Sequence, residues 1–366
     1  MAYSFEYVNF FSYLCTLNFK YMTEISLRYD FPLFVTDCPI RNYIGSDKLR
    51  LSDSWSLFQY VVLKRGKTEA ERKFMLTLLE QAKYFYSVAD SAPLKSKPLL
   101  YYYSFLNLAK LFINLRGYIG NTREYNHGIE ARPANSFVSA EVNVKGFYGS
   151  PMLPVNRVFA EQLRFNYPTY PFQYKVVDYL KACVGIHKVY CETYKQEEMF
   201  HRIKVLHLFM HANQMKSVAW IPNLSSNDVA NLTAKGYSIT HDGAGYVWTE
   251  TIAKHPHHLT NQNFFDLSLQ MRQRGLWYLT NGNEYRMYIS AQDYAFPPEL
   301  VIYNIMFYFG SITRYHPYQF DELLSAKEQW MVEVFMRTQP QQFVYGLLSR
   351  LLGRYVYEDK TAKLSV

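Results

Sequence analysis

One segment constrains the fold more than any other, the nearly continuous apolar run from Lys97 to Lys110, KPLLYYYSFLNLAK. Pro98 stands in the first turn of a predicted helix, where its missing N–H would be unpaired in any case. A helix that is apolar on almost all sides is predicted to lie at the centre of a larger body. Asn107 and Lys110 are three residues apart and share one face. A buried amide and a buried ammonium must be paired or serve a site, because desolvating them alone is unfavourable.

The composition indicates a protein with a substantial core and a polar cleft or interface. The chain has 366 residues, of which 49% are apolar, enough for one large domain or two. It contains 34 tyrosines, and tyrosine suits a wet cleft because its ring is apolar and its tip is polar. The net charge is +8, and the excess positive charge lies in residues 1–217. A basic half favours phosphates or nucleic acid as partners, although singly scattered cations are also typical of an ordinary solvated surface.

The cysteines and the hydropathy pattern bear on the cellular compartment. The four cysteines form no CxxC pair, which predicts reduced thiols in a cytoplasmic protein. The N-terminal residues lack a basic segment followed by an apolar run, so we expect no signal peptide. No charge-free apolar stretch reaches about 18 residues, so we predict no membrane-spanning helix and no membrane partner.

The pattern along the chain predicts an α+β protein that is mainly helical. Thr68 and Glu71 have the spacing of a capping box at the start of a helix over 68–92. Further helices are expected at 97–116, 154–165, 172–192, 195–215, 300–312, 319–337 and 341–354, and short strands at 125–149. Residues 218–293 alternate and contain hairpin signals such as Asn281-Gly282-Asn283. We therefore predict a multi-helix core from 1–217 and 294–366, with 218–293 as a small antiparallel β-sheet insert packed on it.

Metal sites are disfavoured by the spacing of the candidate ligands. His207 and His211 have the i, i+4 spacing of a helical zinc site, but no glutamate lies between them to act as a base. Cys183, His187 and Cys191 share one helical stripe, but residues eight apart are separated by about 12 Å along a helix, so one zinc ion cannot bind all three. We therefore predict no metal and no cofactor.

A ribonuclease is one alternative. Residues 202–207, RIKVLH, match R-x4-H, the nuclease signature of HEPN domains. In that hypothesis Arg202 and His207 would form the catalytic pair of a metal-independent ribonuclease, stabilising the scissile phosphate and moving a proton. The pattern is short, and on a straight helix the two side chains would point roughly 140° apart.

An anion site is the other alternative. Arg314 follows a long apolar segment, where its cation would also be favoured by the C-terminal carbonyls of a helix. Lys110, His127 and Arg314 would form the anion site if the fold brings them into one cleft, with His127 titrating near neutrality. In this hypothesis Lys97 also contacts the anion and Asn107 orients it.

Three segments together resemble the YaaC-like family of bacterial proteins. They are KPLLYYYSFLNLAK at 97–110, HGI at 127–129 and GSITRYHP at 310–317. The family pattern has a basic residue, Pro and Leu before Tyr-Tyr and Asn-Leu-Ala-Lys, then His-Gly-Leu, then a serine pair before Arg-Tyr-x-Pro. Lys97 stands where arginine is common, which would weaken a bidentate anion contact, while Ile129 and Gly310 are milder departures.

The resemblance covers about residues 60–350 and implies a largely helical cytoplasmic protein without a settled activity. Some relatives look like components of phage-defence loci, and a HEPN-like helical core is plausible by analogy. Three hypotheses follow: a defence or regulatory protein that binds a nucleotide or nucleic acid, a HEPN-type ribonuclease, and a non-catalytic subunit. In the third, exposed tyrosines and phenylalanines would bind a protein partner or a second copy of the chain.

Overall fold

Helices predominate in the computed structural model, and the predicted mainly helical α+β class is confirmed. The structure describes residues 23–25, 48–51, 53–117, 124–146, 152–183, 185–203, 205–211, 214–221, 224–236, 238–241, 246–254, 276–278, 285–288, 296–352 and 355–358. The chain divides into two units. The helical unit comprises Lys48–Glu198, Leu279–Gly282 and Phe296–Val366, and the sheet unit comprises Met1–Asp47, Met199–Tyr278 and Asn283–Ala295. The predicted division into a core and an insert stays a prediction.

The helices are α1 Ser54–Arg65, α2 Glu69–Ser91, α3 Lys97–Leu115, α4 Val155–Gln162, α5 Val176–Ala182, α6 His187–Tyr194, α7 Ser226–Ala234, α8 Pro298–Tyr315, α9 Pro317–Leu324 and α10 Gln329–Leu352. The strands are β1 Thr23–Ile25, β2 Lys48–Leu51, β3 Tyr125–Asn126, β4 Ile129–Arg132, β5 Glu141–Val144, β6 Leu153–Pro154, β7 Phe172–Lys175, β8 Phe200–Ile203, β9 Val205–His211, β10 Gln214–Ile221, β11 Ser238–His241, β12 Tyr246–Lys254, β13 Leu276–Tyr278, β14 Tyr285–Tyr288 and β15 Tyr355–Glu358.

The apolar run from Lys97 forms α3, the central helix of the helical unit. Most of its residues are buried, and it packs between α2 and α8, as expected for a helix without a polar face. The ring of Phe105 on α3 stacks on Phe343 of α10 at 4.1 Å between centroids. The helix α8 is equally apolar, so aromatic rings from three helices form the core.

The start of α2 is the predicted capping box. The hydroxyl of Thr68 accepts the N–H of Glu71, and the Glu71 carboxylate accepts the N–H of Thr68. This capping box satisfies donors that the first helical turn leaves unpaired. The predicted helix boundary is therefore confirmed to within a residue.

In the described part of the helical unit, three short sheets accompany the helices. The strands β4, β5 and β7 form an antiparallel sheet, with β5 in the centre. The strands β3 and β6 pair in parallel, as do β2 and β15. The loop between β3 and β4 carries His127, which these pairings place beside α3 and α8.

The sheet unit contains a five-stranded antiparallel sheet in the order β1-β9-β10-β12-β11 and a three-stranded sheet in the order β13-β14-β8. The predicted short helix after residue 225 is confirmed as α7, with a capping box from Ser225 and Asp228. The predicted pairing across residues 279–284 is also confirmed, because Tyr278 pairs with Tyr285.

The helix predicted over 195–215 is wrong. Residues 200–203 and 205–211 are the strands β8 and β9, and β10 begins at Gln214. A short apolar run is compatible with a helix or a strand. Here β9 lies between β1 and β10, so backbone hydrogen bonds to strands on both sides favour the strand.

Three other predicted helices have different boundaries. Residues 172–192 form β7, α5 and α6 instead of one helix. The predicted break between 337 and 341 does not occur, since α10 continues through Pro340. None of the helices in the described ranges is long and apolar enough to cross a membrane.

Candidate functional site

A cleft of about 280 Å³ opens between α3, α8 and the strand β4 of the helical unit. Tyr102, Tyr103 and Phe307 supply aromatic walls, while His127 and Arg314 supply nitrogen donors. Ligand sites are commonly concave, mostly apolar and furnished with a few convergent polar groups. This cleft has that composition.

Two glycines allow the walls to approach each other. A Cβ on Gly310 of α8 would lie 2.9 Å from the Cβ of Tyr102, so only glycine lets α8 pack this closely on α3. Gly128 follows His127 with φ of +68°, and a Cβ there would lie 2.6 Å from the Cβ of Pro154. Both positions require a residue without a side chain.

The backbone carbonyls of His127 and Gly128 are both held by hydrogen bonds. The carbonyl of His127 accepts the N–H of Asn156 at 3.1 Å, and the carbonyl of Gly128 accepts the N–H of Lys145 at 2.9 Å. The imidazole Nδ1 is hydrogen-bonded to the hydroxyl of Tyr102. Since both the backbone and one ring nitrogen are held, the imidazole has a defined orientation at the cleft.

The electrostatic surroundings of His127 favour its neutral form. Burial lowers the pKa of His127 below its ordinary value, and the positive charges of Lys110 and Arg314 lower it further. Both effects disfavour a second proton on the ring. His127 is therefore a neutral hydrogen-bonding group near pH 7, close to the side chains of Lys110 and Arg314.

Arg314 brings a cation to the wall of the cleft from the last turn of α8. Its Nη1 donates to the hydroxyl of Tyr103 at 2.7 Å, and its guanidinium lies 4.9 Å from the ring centroid of Tyr315. Within the described ranges no acidic side chain forms an ion pair with it. The guanidinium therefore retains donors for an anionic ligand.

Lys110 lies behind the cleft wall. Its Nζ is 5.2 Å from the ring centroid of Tyr125, and burial lowers the pKa of the ammonium. It does not line the cleft, but it is close enough to His127 to depress the pKa of that residue. Its contribution is a positive potential at the site.

Two residues predicted to join the site lie elsewhere. The Nζ of Lys97 donates to the carbonyl of Asp90 at 2.8 Å, and the amide of Asn107 faces Gln81 of α2 at 3.4 Å. Neither side chain lines the cleft, so the structure does not support their predicted contact with the anion.

Sequence reasoning missed several lining residues. Glu130 on β4 and Lys145 after β5 form an exposed ion pair at 3.2 Å on the cleft margin. Tyr102 and Tyr103 belong to the apolar segment from Lys97 to Lys110, but their contacts with His127 and Arg314 depend on how the β3–β4 loop and α8 pack against α3. For this ion pair the sequence offered only the alternating pattern around Glu130, which predicts a strand.

Arg202 and His207 occupy a different context from the one predicted. Arg202 lies on β8, opposite Arg286 of β14, and His207 lies on β9, opposite Val218 of β10. The premise that both lie on one helix is wrong, because residues 200–203 and 205–211 pair as strands. Their role as a catalytic pair stays a prediction.

The described residues contain no group of three or more histidine, cysteine or carboxylate side chains arranged to hold a metal ion. His187 and Cys191 of α6 do contact each other, with 3.4 Å between Nε2 and Sγ. The imidazole Nδ1 is held at 2.7 Å by the carbonyl of Lys181, and burial raises the pKa of the Cys191 thiol to about 11. The Cys191 thiol therefore stays protonated at neutral pH, and its contact with His187 is a buried structural one.

No curated protein and no solved structure matches the chain. A family model described as YaaC-like Protein matches residues 45–351, which is most of the chain. The match includes α3, the His127 loop and α8, the three segments that form the cleft. The chain therefore belongs to the YaaC-like family.

Proposed function

We propose that this protein binds a phosphate-bearing ligand, a nucleotide or a short segment of nucleic acid, in the cleft between α3 and α8. The single observation that supports this most is the guanidinium of Arg314, which lies at an aromatic-walled recess without a carboxylate partner within the described ranges. Arginine matches the geometry of phosphate oxygens through its planar set of donors.

The surroundings of Arg314 support the same ligand class. Lys110 adds positive potential behind the imidazole of His127, which is itself a neutral hydrogen-bonding group. The rings of Tyr102, Tyr103 and Phe307 line the cleft, so a planar base bound there would lie beside aromatic side chains. A phosphate joined to an aromatic base satisfies both kinds of surface, whereas a purely apolar ligand would leave the cations without a counterion.

The size of the cleft favours a small ligand. At about 280 Å³ it has the volume of the smallest typical ligand pockets, which begin at roughly 300 Å³. A mononucleotide or one nucleotide of a single strand is of that order, while a duplex is far larger. We therefore place a single nucleotide unit in the cleft.

Isothermal titration calorimetry tests this proposal with inorganic phosphate, the four ribonucleoside monophosphates, the corresponding nucleosides and a short single-stranded RNA. Phosphorylated ligands should bind and nucleosides should not. Arg314→Gln should weaken binding by about tenfold or more, since hydrogen bonds to charged groups contribute about 1.5–3 kcal/mol. Arg132→Gln, which changes an exposed arginine outside the cleft lining, is the matched control.

Equal affinities of the two variants, or the absence of binding by every phosphorylated ligand, would contradict the proposal. A protein partner or a second copy of the chain that binds through exposed aromatic residues would then be the better hypothesis. Tyr84 and Tyr318, which are largely exposed, are the first positions to replace in that case.

The wider role belongs to the same proposal. We infer a cytoplasmic component of a bacterial defence or regulatory system, in which ligand occupancy of the cleft signals to a partner. The ribonuclease alternative has a direct test, metal-free cleavage of RNA that is lost in His207→Ala. The strand positions of Arg202 and His207 do not favour it.

A further inference from the structure

The strand β4, which lines the cleft, is an edge strand. Its sheet has the order β4-β5-β7, and within the described residues β4 pairs with β5 alone. An edge strand carries backbone N–H and C=O groups that point away from its neighbour. In an antiparallel pair, directly opposite residues are alternately bonded and not bonded to each other, so the hydrogen-bond pattern shows which residues carry the free groups.

A bond next to β4 fixes this alternation. The N–H of Lys145 donates to the carbonyl of Gly128 at 2.9 Å, and these two residues continue the register of the β4–β5 pair by one position. Glu130 and Arg132, which follow Gly128 at intervals of two, therefore direct their N–H and C=O toward β5. The other two residues of β4 direct theirs to the free edge.

The opposite side of β5 gives the same result. The N–H of Val176 donates to the carbonyl of Ala140 at 2.9 Å, and these residues continue the register of the β5–β7 pair. The even-numbered residues of β5 therefore bond to β7, and the odd-numbered residues bond to β4, as the bond of Lys145 requires. The free backbone groups of β4 are thus those of Ile129 and Ala131.

The cleft lies along this free edge. Ile129, Glu130 and Ala131 all line it, although successive side chains of a strand point to opposite faces of the sheet. A recess on one face would contact every second residue, so a cleft that contacts three in succession lies at the edge.

The free groups at this edge have a use for a ligand. Within the described residues, the N–H and C=O of Ile129 and Ala131 have no hydrogen-bond partner. Ile129 is buried, and backbone groups that are buried without a partner are unfavourable. A ligand that supplies an acceptor and a donor there would satisfy them.

The size of the edge and of the cleft favours a small ligand over an added peptide strand. Only two residues of β4 offer free groups, and the cleft of about 280 Å³ is at the lower limit of small-molecule pockets. A nucleobase is planar and carries hydrogen-bond donors and acceptors side by side on its edge. One residue of an extended strand likewise presents an N–H and a C=O in the same direction.

We propose that the free edge of β4 recognises the base of the nucleotide through the backbone N–H and C=O of Ala131 and Ile129, while Arg314 binds its phosphate. The inference rests on the proposed function for the phosphate and adds the base as a second recognised group. Backbone groups carry this recognition, so the side chains of β4 can vary without abolishing it.

Amide hydrogen exchange, followed by NMR, tests the edge without a ligand. The N–H groups of Glu130 and Arg132 should exchange slowly because they donate to β5, whereas that of Ala131 between them should exchange fast. Equal protection of the three amides would overturn the assignment of the free edge. At least one of the four ribonucleoside monophosphates should then slow the exchange of Ala131, and inorganic phosphate should not.

Calorimetric titration of the wild type compares the same nucleotides with ribose 5-phosphate, which has the phosphate and the sugar but no base. The nucleotide that protects Ala131 should bind more tightly than ribose 5-phosphate by at least about two- to tenfold, the contribution of one neutral hydrogen bond.

Ala131→Pro removes one of the proposed donors, and an edge strand tolerates proline where the N–H is not part of the ladder. The variant should bind the nucleotide about two- to tenfold more weakly and ribose 5-phosphate as well as the wild type does. Ala131→Ser retains the N–H and is the matched control. Glu130→Pro removes a donor to β5 and should lower the temperature of thermal unfolding more than Ala131→Pro does.

The outcomes separate this inference from the proposed function. If ribose 5-phosphate binds as tightly as every nucleotide, recognition of the base fails and the phosphate site stands. If no phosphorylated ligand binds, both fail, and the exchange pattern of the free protein still establishes the edge. Protection of Ala131 by a member of a tetrapeptide library, and by no nucleotide, would overturn the inference in favour of strand addition.

Discussion

The guanidinium of Arg314, in the last turn of α8, donates to the hydroxyl of Tyr103 on α3 over 2.7 Å. The two residues are far apart in the sequence, and this bond joins the two long walls of the cleft at its margin. Arg314 can therefore be positioned before a ligand arrives, which reduces the entropy that binding must overcome.

Tyr103→Phe tests that positioning. The variant keeps the ring and removes only the acceptor for Arg314. Because this bond acts on binding only through the position of Arg314, phosphate or nucleotide affinity should fall by about two- to tenfold, or roughly 0.4–1.4 kcal/mol. Calorimetric titration measures the change. Tyr318→Phe, on an exposed tyrosine outside the cleft lining, should leave the affinity unchanged. An unaltered affinity in Tyr103→Phe would show that the bond does not orient Arg314.

The lowered pKa of His127 predicts how stability depends on pH. Below the ordinary imidazole value of 6.5, the unfolded chain binds a proton that the folded chain binds less readily. The free energy of unfolding should therefore decrease as the pH falls from about 7 to about 5. His127→Gln removes this group and should make the decrease shallower in urea denaturation.

The control for that experiment is His316→Gln, which removes an exposed imidazole at the margin of the cleft. A wild-type curve parallel to that of His127→Gln would contradict the lowered pKa. Lys110→Met gives an independent check, because loss of a neighbouring cation should raise the pKa of His127 in an NMR titration.

Gly310→Ala should disturb the packing of α8 on α3. The added Cβ would lie 2.9 Å from the Cβ of Tyr102 and 3.3 Å from the carbonyl oxygen of Pro98, so one helix must shift. Overpacking of this kind costs about 1–3 kcal/mol, which exceeds the helix-propensity gain of up to about 1 kcal/mol from replacing glycine. Urea denaturation should show a net loss, whereas Ser311→Ala, one residue along, should change stability little. Equal stability of Gly310→Ala and the wild type would mean that the helices separate without cost.

A buried ion pair joins α8 to α10. Nε of Arg350 lies 2.9 Å from Oε1 of Glu299, and the side chains are only 4% and 6% exposed. Removing one partner of such a pair costs about 3–5 kcal/mol, because the other charge stays buried. Glu299→Gln should therefore lower the free energy of unfolding by about that amount. Asp321→Asn, in the exposed pair with Lys95, should lower it by less than about 1 kcal/mol. Similar losses in the two variants would contradict this prediction.

A polar network in the core centres on Asn304. Its amide donates to the hydroxyls of Tyr179 at 2.9 Å and Tyr167 at 3.2 Å, and its carbonyl oxygen accepts from the amide of Asn156. Asn304→Leu keeps the volume but leaves several buried polar groups without this partner, each costing about 1–3 kcal/mol. We expect a loss of at least about 3 kcal/mol in urea denaturation. Tyr167→Phe, which removes one member, should cost less; the reverse order would show that the network is not centred on Asn304.

Helix capping and the burial of strongly apolar segments could be predicted from the sequence. The capping box of Thr68 and Glu71 depends on residues three apart, and the burial of α3 follows from its lack of a polar face. The strands at 200–211 were not predictable in the same way. Their residues suit a helix or a strand, and the choice depends on the distant strands β1 and β14, with which they pair.

The same distinction, between what local sequence predicts and what tertiary packing determines, applies to the candidate site. Residue types and the family pattern pointed to His127 and Arg314, and the structure places both on one cleft. The placement of Lys97 and Asn107 could not be read from the chain, because a helix that is apolar all round does not indicate which neighbour each side will meet. Packing against α2 directs Asn107 to Gln81, and packing against α8 directs Tyr103 to Arg314.

The sequence by itself determined a central apolar helix, its capped neighbour, the mainly helical class and the family of the protein. The tertiary structure alone decided which polar groups meet. Local propensities act over one or two helical turns, whereas the contacts of His127 with Tyr102 and of Arg314 with Tyr103 join elements distant in the chain. Their geometry depends on how closely whole helices pack, and at this site that distance is set by a glycine without a side chain, Gly310.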